Sequence, residues 1–351
     1  MRVTLLVVPL LAACSADPVL GIASRWQHDT PAKAAPVALG PERRVIVLLS
    51  EAASLGGELV TVEEQNGLPV EGPTPGAPLT ARAPVVSGTR VFVITTIGKL
   101  TRLDFLAQSA FVAPESPLGP TTTPVFAADG SVRFGTTSGR VFGFDADGAP
   151  VLDVPVGGAV TSIFVEGTTT YATTDAGRVV GIDESGALEV DVSVDAPAQG
   201  IAVSPDGNLY VGEATGLRAF DPIGDELWKR PRAARVVGAL LQKDETLLAW
   251  GEDGVLERLD QNGNVIFSAR SRPDGEANPP AIYAAPLSIE GDRIGAFDAS
   301  GRALLIGPDG AIEDTLDLGQ APTGDPVIGE LGFAFIAVGS SVRAIDFTAE
   351  K

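Results

Sequence analysis

The sequence predicts an all-β fold built from one four-stranded unit repeated around a closed ring. Three observations carry this expectation. First, a short segment recurs in which a Gly is followed six residues later by an acid, with mostly apolar residues between. It reads GELVTVE from Gly57, GKLTRLD from Gly98, GRVFGFD from Gly139, GRVVGID from Gly177 and GVLERLD from Gly254. GLRAFD from Gly216 is one residue shorter, GRALLIG from Gly301 ends on Gly307 instead of an acid, and the series closes with SVRAID, where Ser340 takes the Gly position. Second, the segments are spaced by about 40 residues, the length of one propeller blade. Third, the 351 residues include 41 Gly and 27 Pro with 44% hydrophobic residues, enough apolar surface for a core and too many turn formers for long helices.

Within each period four strands are readable. In the third unit they are PVFAAD, SVRFGTT, GRVFGFD and APVLDVPV, and the middle strands alternate apolar or small residues with polar ones. The first and second strands meet at turns such as Ser87-Gly88, Asp129-Gly130, Glu166-Gly167, Asp206-Gly207 and Glu290-Gly291. The third and fourth meet at Asp145 to Gly148, Asp183 to Gly186, Asp221 to Gly224 and Asp260 to Gly263, with Asp first and Gly fourth as a type I turn requires. Too few carboxylates converge at any one of these turns for a calcium loop.

The eighth unit has PVIGE, FAFIAV and SVRAID and lacks a fourth strand. Residues Val19 to Gln27, VLGIASRWQ, have strand composition, no partners of their own, and Trp26 where the fourth strand DELWKR carries Trp228. The sequence therefore predicts an eight-bladed β-propeller whose ring is closed by an N-terminal strand, leaving no long open sheet edge. Seven blades with one degenerate unit is the alternative. Residues 19–351 form the propeller in either case.

Ahead of it, Arg2 and the apolar run Val3 to Ala13 end in Leu11-Ala12-Ala13-Cys14, which resembles the lipobox of a bacterial lipoprotein signal. The run is too short to span a bilayer. Residues 1–13 are expected to be removed and Cys14, the only Cys, to be acylated, with 14–18 as a lipidated linker to the membrane. The absence of Asp at position 15 points, by resemblance to enterobacterial lipoproteins, to the outer membrane.

The net charge of −20 argues against nucleic acid or an anionic lipid surface as a partner through the general field. One Cys and one His exclude a disulfide framework, a Cys/His zinc cluster and a CxxC redox site. His28 is the only imidazole available to a Ser-His-Asp mechanism, and it falls in QHDTPAKAAP, read as a connector after the closing strand. No GxSxG, HExxH or GxxxxGK[ST] motif occurs. The expectation is a non-enzymatic protein without cofactor or metal.

Against this acidic background, Lys229, Arg230, Arg232 and Arg235 lie close together in WKRPRAAR, and Arg270 and Arg272 recur one unit later, ahead of a Pro-rich insertion to Pro286. Both stretches are read as connections from a fourth strand to the next first strand. Two readings compete: a solvated, charge-compensated loop, and a docking site for an acidic partner. A loop position implies that reversing Arg230, Arg232 and Arg235 leaves the fold intact.

The repeats, GxVxxxD with a Gly turn and sometimes a Trp, resemble the pyrroloquinoline-quinone-type propeller repeat over residues 19 to 347. The quinone-dependent dehydrogenases of that class are much longer and hold a calcium-bound cofactor between aromatic and disulfide platforms; this chain has no second Cys and only three Trp. The other branch contains lipid-anchored propellers of similar length, among them the propeller lipoprotein of the outer-membrane β-barrel assembly machinery. That resemblance implies a monomeric propeller within a complex, binding envelope proteins and performing no chemistry. Most units here depart from the repeat by carrying Leu, Val or Phe where it often has Trp. A carbohydrate- or small-ligand-binding surface lipoprotein is the second reading, and a hydrolase with carboxylates in the channel the third.

Overall fold

The computed structural model describes residues 20–50, 58–72, 79, 82–94, 100–104, 110–112, 119, 121–271, 281–282 and 284–350. Among them are 32 strands, arranged as eight four-stranded antiparallel sheets. Each sheet is one blade, in the order first, second, third, fourth strand from the axis outward, and the first strands of successive blades lie against one another around the axis.

The eighth blade settles the count. Its order is the N-terminal strand Leu20–Asp29, then Ser341–Glu350, Ala334–Val338 and Val327–Ile328. The N-terminal strand is thus the outer strand of the last blade, in antiparallel register from Leu20 opposite Glu350 to Asp29 opposite Ser341. The ring has eight blades, closed as expected. One expectation is corrected: His28 stands inside this strand, opposite Val342, and the connector begins only after Asp29. The strand runs on past Trp26 because its partner is ten residues long and offers backbone groups to its end.

The core lies between blades. Eight clusters of buried apolar side chains each join two neighbouring blades, one cluster per junction. Val45, Val47 and Leu49 of the first blade face Phe335 and Ala344 of the eighth, while Ile46 and Leu48 on the opposite face meet Val91 and Val93 of the second. This modifies the reading of the middle strands. Their alternation does not separate core from solvent, because both faces are covered, as in buried sheets generally. Thr170, Thr173 and Thr174 in the fourth blade are fully buried beside Ala172. The solvent alternation sits on the outer strands, as in Pro150–Pro155, where Leu152 and Val154 point inward and their neighbours are exposed.

The outer strands also lock each blade to the next. Trp26 donates its indole N–H to the carbonyl of Glu64 at 2.8 Å, and Trp228 donates to Gln261 at 2.8 Å. Both acceptors lie in the turn between third and fourth strands of the following blade. The turn glycine lies under the ring: a Cβ on Gly67 would stand 2.5 Å from Trp26, and one on Gly263 2.8 Å from Trp228. With φ of +70° and +78° at these positions, only glycine meets both demands.

The acids that open these turns act on backbone. Asp183 Oδ1 accepts from the amides of Ser185 and Ala187, and Asp145 and Asp260 do the same in their blades. Hydrogen bonds from the Ser185 side chain and the Ala187 amide hold the Asp183 carboxyl below its ordinary value of 3.8, and those from the Asn264 side chain and amide do so for Asp260. A depressed folded pKa gives stability that is complete above the unfolded value and is lost as pH falls through the folded one. Urea midpoints are therefore expected to hold down to about pH 4 and to decline below it. Asp183→Ala and Asp260→Ala together should make that decline shallower while lowering the neutral-pH midpoint. An acid limb unchanged in the double variant would assign the pH dependence to other carboxylates.

Candidate docking surface

The basic cluster begins inside a strand. Lys229 and Arg230 belong to Glu226–Pro231, the outer strand of blade five, and only Arg232 and Arg235 lie in the connection to blade six. Successive residues of a strand point to opposite sides, so Lys229 and Arg230 diverge.

Lys229 turns back into its own blade. Its Nζ donates to Asp195 at 3.0 Å and stands 3.3 Å from Glu213. Glu213 is fully buried, and it accepts from the Asp195 amide at 2.9 Å and from Arg218. Hydrogen bonds from Thr215 and Lys229 lower the Asp195 pKa, and the bond to Asp195 raises that of Lys229.

The arginines reach forward to blade six. Arg230 donates through Nη2 and Nε to the two oxygens of Glu257, at 2.7 and 3.2 Å, and this raises its pKa. Arg232 donates to Asp253 at 2.8 and 3.1 Å and to the Val255 carbonyl at 3.2 Å, and its side chain is only 6% exposed. Arg235 pairs with Glu252. Three arginines of blade five and its connector thus meet three acids at the second-to-third-strand turn and third strand of blade six. The cations are compensated within the protein. Arg230 and Arg232 meet the buried Glu257 and the half-buried Asp253, so reversing them is expected to cost stability, whereas Arg235 meets the exposed Glu252.

Arg270 ends the outer strand of blade six, exposed and with no ion-pair partner among the described residues. Arg272 and most of the Pro-rich insertion, like Cys14 and the signal segment, lie outside the described residues. Among the described residues no group of three or more His, Cys, Asp or Glu is placed to hold a metal ion.

Sequence reasoning missed the exposed apolar residues of the same two blades. Ile223 is 78% exposed at the turn of blade five, and Leu227, Val265 and Ile266 lie open on the outer strands of blades five and six. Leu227 and Ile266 sit at bulges, the residue skipped when Glu226 and Trp228 pair with successive residues of the third strand, and likewise Val265 and Phe267. They alternate with the inward Trp228 and Phe267, which places them on the solvent side of their strands.

Residues 188–342, a little under half of the chain, match the family described as outer membrane protein assembly factor BamB. No curated protein matches the chain in sequence. Among solved structures, the computationally designed Ika8 protein superposes with a TM-score of 0.75 at 12% identity, covering 92% of this chain and 99% of that one. BamB from Moraxella catarrhalis superposes with a TM-score of 0.68 at 16% identity, covering 93% of this chain and 100% of that one. At such identities the structural likeness shows the fold. With the family match, it bears out a pyrroloquinoline-quinone-type propeller resembling the propeller of the outer-membrane assembly machinery.

Proposed function

We propose that the chain is a lipid-anchored β-propeller that binds envelope proteins without catalysing a reaction, in the assembly of outer-membrane proteins. The observation that carries this reading is the match of residues 188–342 to the assembly-factor family, on a propeller that covers the whole of a BamB structure. The matched residues include blades five and six, which expose Ile223, Leu227, Val265 and Ile266 at the turn and the starts of their outer strands, and Arg270 at the end of one. Apolar patches rimmed by charge are common protein contact sites. In this reading Arg270 and Arg272 meet an acidic partner directly, while Lys229, Arg230, Arg232 and Arg235 hold the two blades in the shape that presents the patch.

Crosslinking in the native envelope, followed by mass spectrometry, tests the proposal. Enrichment of outer-membrane assembly components supports it, and their absence from the crosslinked products overturns it. Ile223→Asp with Ile266→Asp should weaken the crosslinked association at least tenfold. Anchoring has its own test. Cys14→Ser should abolish incorporation of labelled palmitate and release the protein from membranes, because each buried acyl methylene adds about 0.8 kcal/mol of membrane affinity. Label retained in the Ser variant would remove the anchor from the proposal.

A further inference from the structure

The first strands of blades eight, one, two and three, with the residues leading into them, line an open cavity of about 610 Å³. Its lining is mostly apolar: Pro36, Val37 and Ala38 from blade one, and Ala83, Pro84 and Val85 from blade two. Arg82 enters it at the start of blade two.

Arg82 differs from four other withdrawn arginines. Arg133 is held by Asp129, Arg218 by Glu213, Arg232 by Asp253 and Arg258 by Asp244. Arg82 is half-buried and has no hydrogen-bond or ion-pair partner among the described residues. Burial lowers its pKa from the ordinary arginine value. A guanidinium with no internal partner can meet an acceptor that a ligand brings without first breaking an ion pair. The acid on the same lining, Asp325, accepts from the Ala285 amide at 2.8 Å and forms no ion pair with Arg82.

We infer that this cavity is a binding site for an organic carboxylate with an apolar body, its carboxylate seated on Arg82 and its body against the Pro36, Val37, Pro84 and Val85 walls. A guanidinium matches a carboxylate with two parallel hydrogen bonds. A single cation in a strongly acidic protein favours a monoanion over phosphates or multivalent acids, which the surrounding field repels. The volume falls within the roughly 300–1,000 Å³ typical of small-ligand sites. A free acid and a peptide C-terminus present the same carboxylate, and the test below distinguishes them. The site is independent of the patch on blades five and six.

Titration calorimetry on the full mature chain decides it, with N-acetyl-leucine and the tripeptide N-acetyl-Ala-Ala-Leu as probes and their C-terminal amides as controls. At least one carboxylate should bind at least tenfold more tightly than its amide. Arg82→Gln should erase that preference, and Arg82→Lys, which keeps the charge, should retain part of it with an unchanged melting curve. Tighter binding of the tripeptide identifies a chain terminus as the source, and tighter binding of the amino acid a free acid. Absence of binding by both carboxylates, equal binding of acid and amide, or a preference that survives Arg82→Gln would overturn the inference.

Discussion

Removal of Leu20 to Trp26 from the signal-free protein should lower its melting temperature more than any single substitution in the blades, and should cause aggregation. The segment supplies the outer strand of blade eight, so its loss exposes the edge of Ser341–Glu350, a ten-residue strand free to pair with another chain. Contacts made by three of its residues go with it. The Trp26 ring lies 5.5 Å from Phe335 and donates to Glu64, tying blade eight to blade one. Trp26→Ala alone should cost about 3 kcal/mol, near the low end for a core Trp because the ring is half-buried. Arg25 donates to Asp346 through Nε at 2.9 Å, and Asp346 is buried. Burial pushes the Asp346 pKa up, but hydrogen bonds from Arg25 and Thr348 together outweigh it and hold it low. Removing Arg25 leaves that carboxylate with Thr348 alone, at a cost of about 1 kcal/mol because Arg25 is half exposed. Ile22 donates its amide to Asp314 of blade seven at 2.8 Å, so the strand bridges both neighbours. The test compares melting curves with and without the segment. Unchanged midpoints would mean that the ring is held closed without it.

The contrast between this strand and the basic cluster explains what the sequence disclosed. Blade number and closure were legible because each depends on local signals that repeat. Glycine is required at Gly130, Gly148, Gly167 and Gly186 by positive φ, and the repeat can be counted wherever such turns recur. Trp26 was legible by analogy with Trp228, since both meet the same demand of the next blade's turn. The partners of Arg230 and Arg232 were not legible. Glu257 and Asp253 are more than 20 residues away in sequence, and many acids were equally plausible neighbours. The exposure of Leu227 and Ile266 was hidden for another reason. Each is next to another apolar residue, Trp228 or Phe267, and nothing in the residue types marks which of the two neighbours faces the core. Arg82 escaped notice because its distinction is the lack of a partner, which only the packed ring reveals.

Reversal of Arg232 should destabilise the propeller strongly, whereas reversal of Arg270 should not. The two arginines look alike in sequence, each just beyond or at the end of an outer strand. Arg232 is nearly buried and neutralises Asp253 at 2.8 Å, with Glu257 3.8 Å from its other terminal nitrogen. Glu257 is itself only 10% exposed and shares its oxygens with Arg230. Breaking a buried pair by deleting one partner leaves an uncompensated charge, at a cost of about 3–5 kcal/mol. Arg232→Glu adds a third carboxylate to Asp253 and Glu257, so its cost should lie at or above the upper end of that range. Arg270→Glu removes no ion pair among the described residues and should change stability by less than about 0.5 kcal/mol, as surface substitutions generally do. Urea denaturation of both variants checks this. A coupled experiment separates folding from recognition: Glu257→Gln should recover part of the stability lost in Arg232→Glu, because it removes one of the repelling carboxylates. If Arg232→Glu unfolds at the wild-type midpoint, the inter-blade clamp does not stabilise the ring. The cations of blade five would then be free to serve a partner, and the docking contact would move from Arg270 to Arg230, Arg232 and Arg235.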